Sequence, residues 1–252
     1  MAEQQDPSPD ILEDGHLYFA WRPKIDVEQP GGIGDVERFY MIMRPDGGRL
    51  FRLIVIGRKH LPDIGEHERC WGFVESVAKE GKDIEAGLRA TTYQTKTRGE
   101  RTLQAARPAG EAAYALLRDG SSTFLAYALT RPERPGPVQK AFNILPEASF
   151  ALSVKNPEKG APPGVGLGDE QQADYPKTLQ KVFRDRRFAD EDPRLLDYEG
   201  AEIVLVGADR RPGRTHGVDL EDEVEGSADI FRHLRFAKSR HPVEPLLEGR
   251  WS

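Results

Sequence analysis

The chain places its apolar residues in short, dense runs, many alternating with period two, and each run ends at a turn-forming segment. That pattern suits strands with one face in a core, because successive side chains of a strand point to opposite faces. Leu17–Trp21, Arg38–Arg44, Leu50–Ile56 and Cys70–Val74 are read as strands, and so are Ala113–Arg118, Thr123–Leu129 and Ser149–Val154. The 25 Gly and 19 Pro favour many short elements over a few long helices. Two of the runs flank Pro45-Asp46-Gly47-Gly48 and two flank Asp119-Gly120-Ser121-Ser122, so two hairpins are expected.

The hairpins resemble each other. Tyr40 aligns with Tyr114, Arg44 with Arg118, Asp46-Gly47 with Asp119-Gly120 and Phe51 with Phe124, at the cost of one gap. The expected fold is therefore α+β and mainly antiparallel β. A duplicated β-hairpin unit over residues 15–156 would form a sandwich or barrel, an arrangement that removes exposed sheet edges. Arg52, inside an apolar run, implies a strand face that meets solvent or an acidic partner.

After residue 156 the character of the chain changes. Residues 157–172 are rich in Gly and Pro and read as a linker, with Gly164-Val165-Gly166-Leu167-Gly168 as a flexible connector. Leu179, Val182 and Phe183 sit at i, i+3, i+4 behind Pro176, which predicts a helix. Ala201–Gly207 reads as a buried strand and Ile230–Phe236 as a helix. These elements suggest a smaller α+β lobe over 173–252, packed on the β region as a cap. Residues 1–14, acidic and polar, read as a disordered tail without the features of a signal peptide.

Composition narrows the setting. The single cysteine, Cys70, excludes an intrachain disulfide and fits a reducing cytoplasm. No run approaches the roughly 18 apolar residues of a membrane span. Net charge is −6 but uneven: residues 1–37 carry −7, residues 38–140 carry +6 from 18 Lys/Arg against 12 Asp/Glu, and residues 141–252 carry −5. A basic middle between acidic ends is the footprint of an anion site, or of two faces joined by opposite charge.

The densest basic stretch, Arg89–Arg101, is followed by Arg107 and interleaves Thr, Gln and Tyr93, groups suited to phosphate contact and base stacking. It reads equally well as an exposed strand whose cations prevent edge association. Arg58-Lys59-His60 follows a strand directly. Together Arg58, Lys59, His60, Arg98, Arg101 and Arg107 are the candidate binding residues, expected in a cleft between the two β units.

His60-x6-His67-x2-Cys70 lacks the closely paired ligands of a zinc site, so no metal or cofactor is expected. No nucleophile elbow, zincin helix or phosphate-binding loop occurs. The acids Asp219, Glu221, Asp222, Glu223 and Glu225 read as a solvated helix start, and Lys155-Asn156-Pro157 as an ordinary turn. The chain is expected to be a cytoplasmic, non-enzymatic binding or interaction protein whose partner is an anionic ligand or a protein. The alternatives are a hydrolase acting on a phosphorylated or nucleic-acid substrate with His60 as acid or base, and an RNA- or DNA-binding protein, which the overall acidity opposes. No membrane contact is expected, and the sequence carries no signal for an oligomeric state.

Overall fold

The computed structural model describes residues 10–48, 50–162, 165–190, 192–218, 220 and 228–252. A first meander comprises β1 (Asp10–Pro23), β2 (Val36–Pro45), β3 (Phe51–Ile56) and β4 (Arg69–Ala78). Helix α1 (Gly81–Leu88) and an isolated hairpin of β5 (Thr91–Thr95) and β6 (Gly99–Leu103) follow. A second meander comprises β7 (Arg107–Asp119), β8 (Ser122–Arg131) and β9 (Glu147–Lys155), with helix α2 (Pro137–Ala141) before its last strand. The two-residue β10 (Phe188–Ala189) extends the pairing of β9, and β11 (Glu202–Asp209) completes the set.

The main sheet closes into an eight-stranded antiparallel barrel, in the order β1-β2-β3-β4-β11-β9-β8-β7 and back to β1. Closure satisfies the strand edges that an open sheet would expose. The alternation visible in the sequence becomes an inside and an outside. Leu17, Phe19 and Trp21 of β1 point inward, while Tyr18 and Ala20 point outward. Aromatic rings fill the interior: Phe39 stacks on Phe142 at 4.6 Å and 9°, and Phe19 meets Tyr127 edge-on at 5.3 Å. Trp21, Phe142 and Trp251 pack together at one end of the barrel.

The strand expected at 201–207 is present, but residues 173–252 do not form a separate lobe. β11 pairs with β4 through Leu205↔Cys70 and with β9 through Leu205↔Leu152, so it is a stave of the barrel. The physical reason is the pair of open edges that β4 and β9 would otherwise present. Residues 173–196 add Tyr175, Leu179, Phe183 and Leu196 to the interior cluster, and residues 228–246 cover the outer wall of β1–β3. The expected helix at 177–183 is a short helix, Lys177–Gln180, followed by a 3-10 turn ended by left-handed Arg184. The helix expected at 230–236 stops at His233.

Asp10–Asp14, expected in a tail, belong to β1. Ile11 pairs with Leu117, and Glu13 is held inside the barrel mouth. Residues 1–9 and the acids Asp219, Glu221, Asp222, Glu223 and Glu225 lie outside the described residues. Arg52 does find acidic partners: it grips Glu13 with two bonds of 2.6 and 2.8 Å and Asp197 with one of 2.7 Å. Tyr114 donates to the same Glu13 at 2.8 Å.

Both hairpins are present within the one barrel. From β1 their meanders run round it in opposite directions, while β2 and β7 both run antiparallel to β1. Consequently Tyr40 faces outward and Tyr114 inward, and those aligned residues are not structurally equivalent.

Phe142 touches β1, β2 and the C-terminal Trp251, so it ties one barrel end together. Phe142→Ala should cost about 3–5 kcal/mol, as for other fully buried aromatics. Urea unfolding would measure this. A loss well under 1 kcal/mol on the scale of exposed sites would show that the plug contributes little.

Candidate anion-binding groove

The six residues expected in one cleft are not brought together. Arg107 is buried in the barrel end: its guanidinium lies 5.4 Å from the Trp21 ring centroid and donates to the carbonyls of Trp251 and Glu28 at 2.9 and 2.6 Å. Lys59 spends its ammonium on the Val36 carbonyl at 2.8 Å. Arg98 sits in the tight turn of the exposed β5–β6 hairpin, and Arg101 pairs with Asp26 of the 24–35 loop. The basic stretch is thus the exposed hairpin that its alternative reading describes, far more a protected edge than a cleft wall.

Arg58 pairs with Glu68 at 2.7 Å, and His60 faces the Leu61 carbonyl at 2.8 Å. His60, Glu68 and Cys70 bring one donor atom each within 4.8 Å of one another. His67, which the sequence spacing set beside His60 and Cys70 in a pattern unlike a zinc site, turns to the Gly207 carbonyl. The trio is already satisfied. Glu68 accepts from Arg58 and from the Asp63 amide, and burial pushes the Cys70 thiol up to about 12, so it keeps its proton.

Basic side chains converge elsewhere. The β2–β3 turn, the β4–α1 junction and the C-terminal segment after residue 231 enclose a groove of about 420 Å³. Arg44, Lys79, Lys82, Arg232, His233 and Arg235 line it, against Glu80 as the one acid. Glu80 pairs with Lys82 at 2.6 Å, and Arg44 contacts Asp46 and His16 at 3.3 and 3.0 Å. Among the described residues Lys79, Arg232 and Arg235 form no side-chain ion pair.

Local chemistry explains why the groove holds its shape. Asp229 caps the short helix Ile230–His233 by accepting from the Arg232 amide at 3.0 Å. Ile230 and Leu234 then pack on Tyr18, Ile42 and Leu53 of the outer wall. Gly81 opens α1 directly beneath this segment, and a Cβ there would collide with the His233 carbonyl. Buried Glu85 of α1 receives Arg89, Arg240 and His241, clamping the helix to the C-terminal chain.

His233 forms the back of the groove. Tyr18 approaches its Nδ1 at 2.5 Å, and His16 lies 5.1 Å away, ring to ring. Burial, then the neighbouring Arg44, His16 and Arg232 charges, lower its pKa to about 4. Burial also keeps the Tyr18 hydroxyl protonated, so Tyr18 donates and Nδ1 accepts. The neutral ring therefore carries its proton on Nε2. It can offer an N–H to an anion but not a lone pair to a reacting proton.

None of the groove residues belongs to the cleft expected from the sequence. Arg44 and Arg235 lie 191 positions apart by number, and only the packing of the C-terminal chain on the outer wall joins them. The lone sequence hint was the cationic run Arg232-His233-Leu234-Arg235.

Fold and groove define a class: a closed antiparallel β-barrel with a solid interior and a cationic groove on its outer wall. Comparison with protein-family models, curated proteins and solved structures gave no match. No helix of the described residues is long and apolar enough to cross a membrane.

The clamp and the groove predict how stability follows pH. His233 has a folded pKa below its unfolded value, so its neutral form is favoured and stability falls as pH drops from about 6.5 towards 4. Burial raises the Glu85 pKa, but hydrogen bonds from Arg89, His241 and Arg240 outweigh it and hold the carboxyl at about 2. Its contribution is complete above about 4.5 and is lost towards pH 2. Melting temperatures measured across this range should therefore decline in two stages. His233→Asn should flatten the upper stage and Glu85→Gln the lower; a profile untouched by either variant would contradict both assignments.

Proposed function

We propose that this chain is a non-enzymatic binding protein that takes up a phosphate-bearing anion in the outer-wall groove. The observation that carries the reading is the convergence of five Lys/Arg side chains and one histidine, against a single acid, in a protein of net charge −6. Such a concentration of like charge repels itself and is held by packing around it, at Gly81, Ile230 and Glu85. A bound anion relieves that repulsion. That Lys79, Arg232 and Arg235 form no ion pair among the described residues favours a ligand with several acceptor oxygens, since guanidinium groups can grip phosphate bidentately. His233 supplies a neutral N–H donor, which supports binding over acid–base chemistry. The lone buried thiol of Cys70 supports a reducing compartment such as the cytoplasm.

Pyrophosphate titrated calorimetrically at low salt should bind, and added salt should weaken it. Each exposed charge at such a surface contributes about 0.2–1 kcal/mol. Arg232→Ala combined with Arg235→Ala should therefore lower affinity several-fold and leave the melting temperature nearly unchanged. Arg98→Ala combined with Arg101→Ala should have no effect on binding. Equal losses from the two pairs, or no heat at all, would sink the assignment.

A further inference from the structure

A second pocket, sharing no residue with the cationic groove, lies on the outer wall of β4 and β11. β4 alternates as the sequence pattern requires. Cys70 and Val74 point into the barrel, and Arg69, Trp71 and Phe73 point out. Glu202 of β11 is paired across from Phe73, and Val206 across from Arg69. Over this wall lies the 165–167 segment, enclosing a space of about 510 Å³. That falls in the range of small-molecule sites, about 300–1,000 Å³.

Of the segment read from sequence as a flexible connector, Gly164 lies outside the described residues, and Gly166 and Leu167 are pinned here. The Leu167 amide donates to Glu202 Oε1 at 2.8 Å. Gly166 has φ +98, and a side chain there would meet the same carboxylate oxygen. Glu202 is itself 3% exposed, and its Oε2 receives the Lys155 ammonium at 2.8 Å. Lys155 is buried as well, so this charged pair sits at the foot of the pocket. A carboxylate has about four acceptor positions, and these two bonds leave the others for a donor. Trp71 is half-buried, with part of its indole open to the space. Arg69 and Arg58 stand at the opposite end, Arg69 exposed and, among the described residues, without an ion pair.

We infer that this pocket binds a nucleoside monophosphate or a closely similar heteroaromatic phosphate. The Trp71 ring gives a stacking platform that any base can use. Glu202 accepts from an amino or ring N–H group of the base. Four residue steps of strand separate Glu202 from the level of Arg69, roughly 13 Å at strand rise. That is the length scale between the base edge and the phosphate of such a ligand. An anion without a ring would leave the open part of Trp71 unused, and a ring without an anion would leave Arg69 unused.

AMP is the probe, followed by calorimetry, with adenosine and ribose 5-phosphate beside it. In the Arg232→Ala, Arg235→Ala background, which removes phosphate contacts of the groove, AMP should bind, adenosine more weakly, and ribose 5-phosphate weakly or not at all. Trp71→Leu should weaken AMP about ten-fold or more, by analogy with other base–aromatic stacks, and Trp71→Phe should restore most of the loss. Arg69→Ala, at an exposed site that folding does not need, should weaken AMP and leave adenosine unchanged. Arg232→Ala combined with Arg235→Ala should leave the Trp71-dependent part of AMP binding as it is, which separates this pocket from the groove. AMP binding that survives Trp71→Leu but falls with the groove variants would overturn the inference, as would no binding of AMP at millimolar concentration. The first outcome would assign AMP to the groove, and neither would count against pyrophosphate there.

Discussion

Closure of the barrel around a solid aromatic interior is the constraint from which the rest follows. Eight strands make a barrel whose inside is just wide enough to be filled by side chains or to hold one small ligand. Here Phe19, Trp21, Phe39, Tyr114, Tyr127 and Phe150 take that space. Both proposed sites accordingly lie on the outer wall, where strand positions alternate with those that built the core. The same alternation that buries Phe19 and Trp21 puts Tyr18 outside, within reach of His233, and the one that buries Cys70 and Val74 puts Trp71 and Phe73 outside.

An outer wall rich in Tyr18, Tyr40, Ile42, Leu53 and Val55 needs a cover, and the C-terminal chain provides it through Ile230, Leu234, Phe236 and Leu246. That covering explains how a C-terminal third with so few apolar runs packs on the barrel through single residues. Each small apolar group finds a site on a wall already formed by the barrel. The polar residues between those anchors, Arg232, His233 and Arg235, are then held at a fixed place against Arg44 and the start of α1. Buried Glu85, with three basic partners, fixes α1 in turn.

The sequence made the strands legible because alternation and turns are local. Leu17–Trp21, the two hairpins, Cys70–Val74, Ser149–Val154 and Ala201–Gly207 are all strands of the barrel. What it concealed is non-local. Nothing near Glu202–Asp209 states that it sits between β4 and β9, and nothing near Asp10–Asp14 states that it pairs with β7, since polar residues there are matched to partners a hundred positions away. The candidate site failed for the same reason. Arg98, Arg101 and Arg107 are close in sequence and so looked like a patch, but strand geometry sends Arg107 into the core and Arg98 to a hairpin tip. The groove is assembled from three distant segments, and no spacing rule connects them.

The contrast between global and local charge determines how such a groove works. A net charge of −6 spread over the surface gives anions no long-range attraction. At physiological ionic strength the screening length is about 8 Å, comparable to the width of a groove this size. Within that distance Lys79, Arg232 and Arg235 dominate, and beyond it the acidic remainder does. The anion proposed for this groove would therefore be held by contact and geometry, not gathered by the field of the whole protein. Under that proposal the groove would favour compact ligands that fit inside it over long polyanions, whose charges would meet a chain of net charge −6. The overall acidity that argues against nucleic acid is thus compatible with, and sharpens, recognition of a small anion.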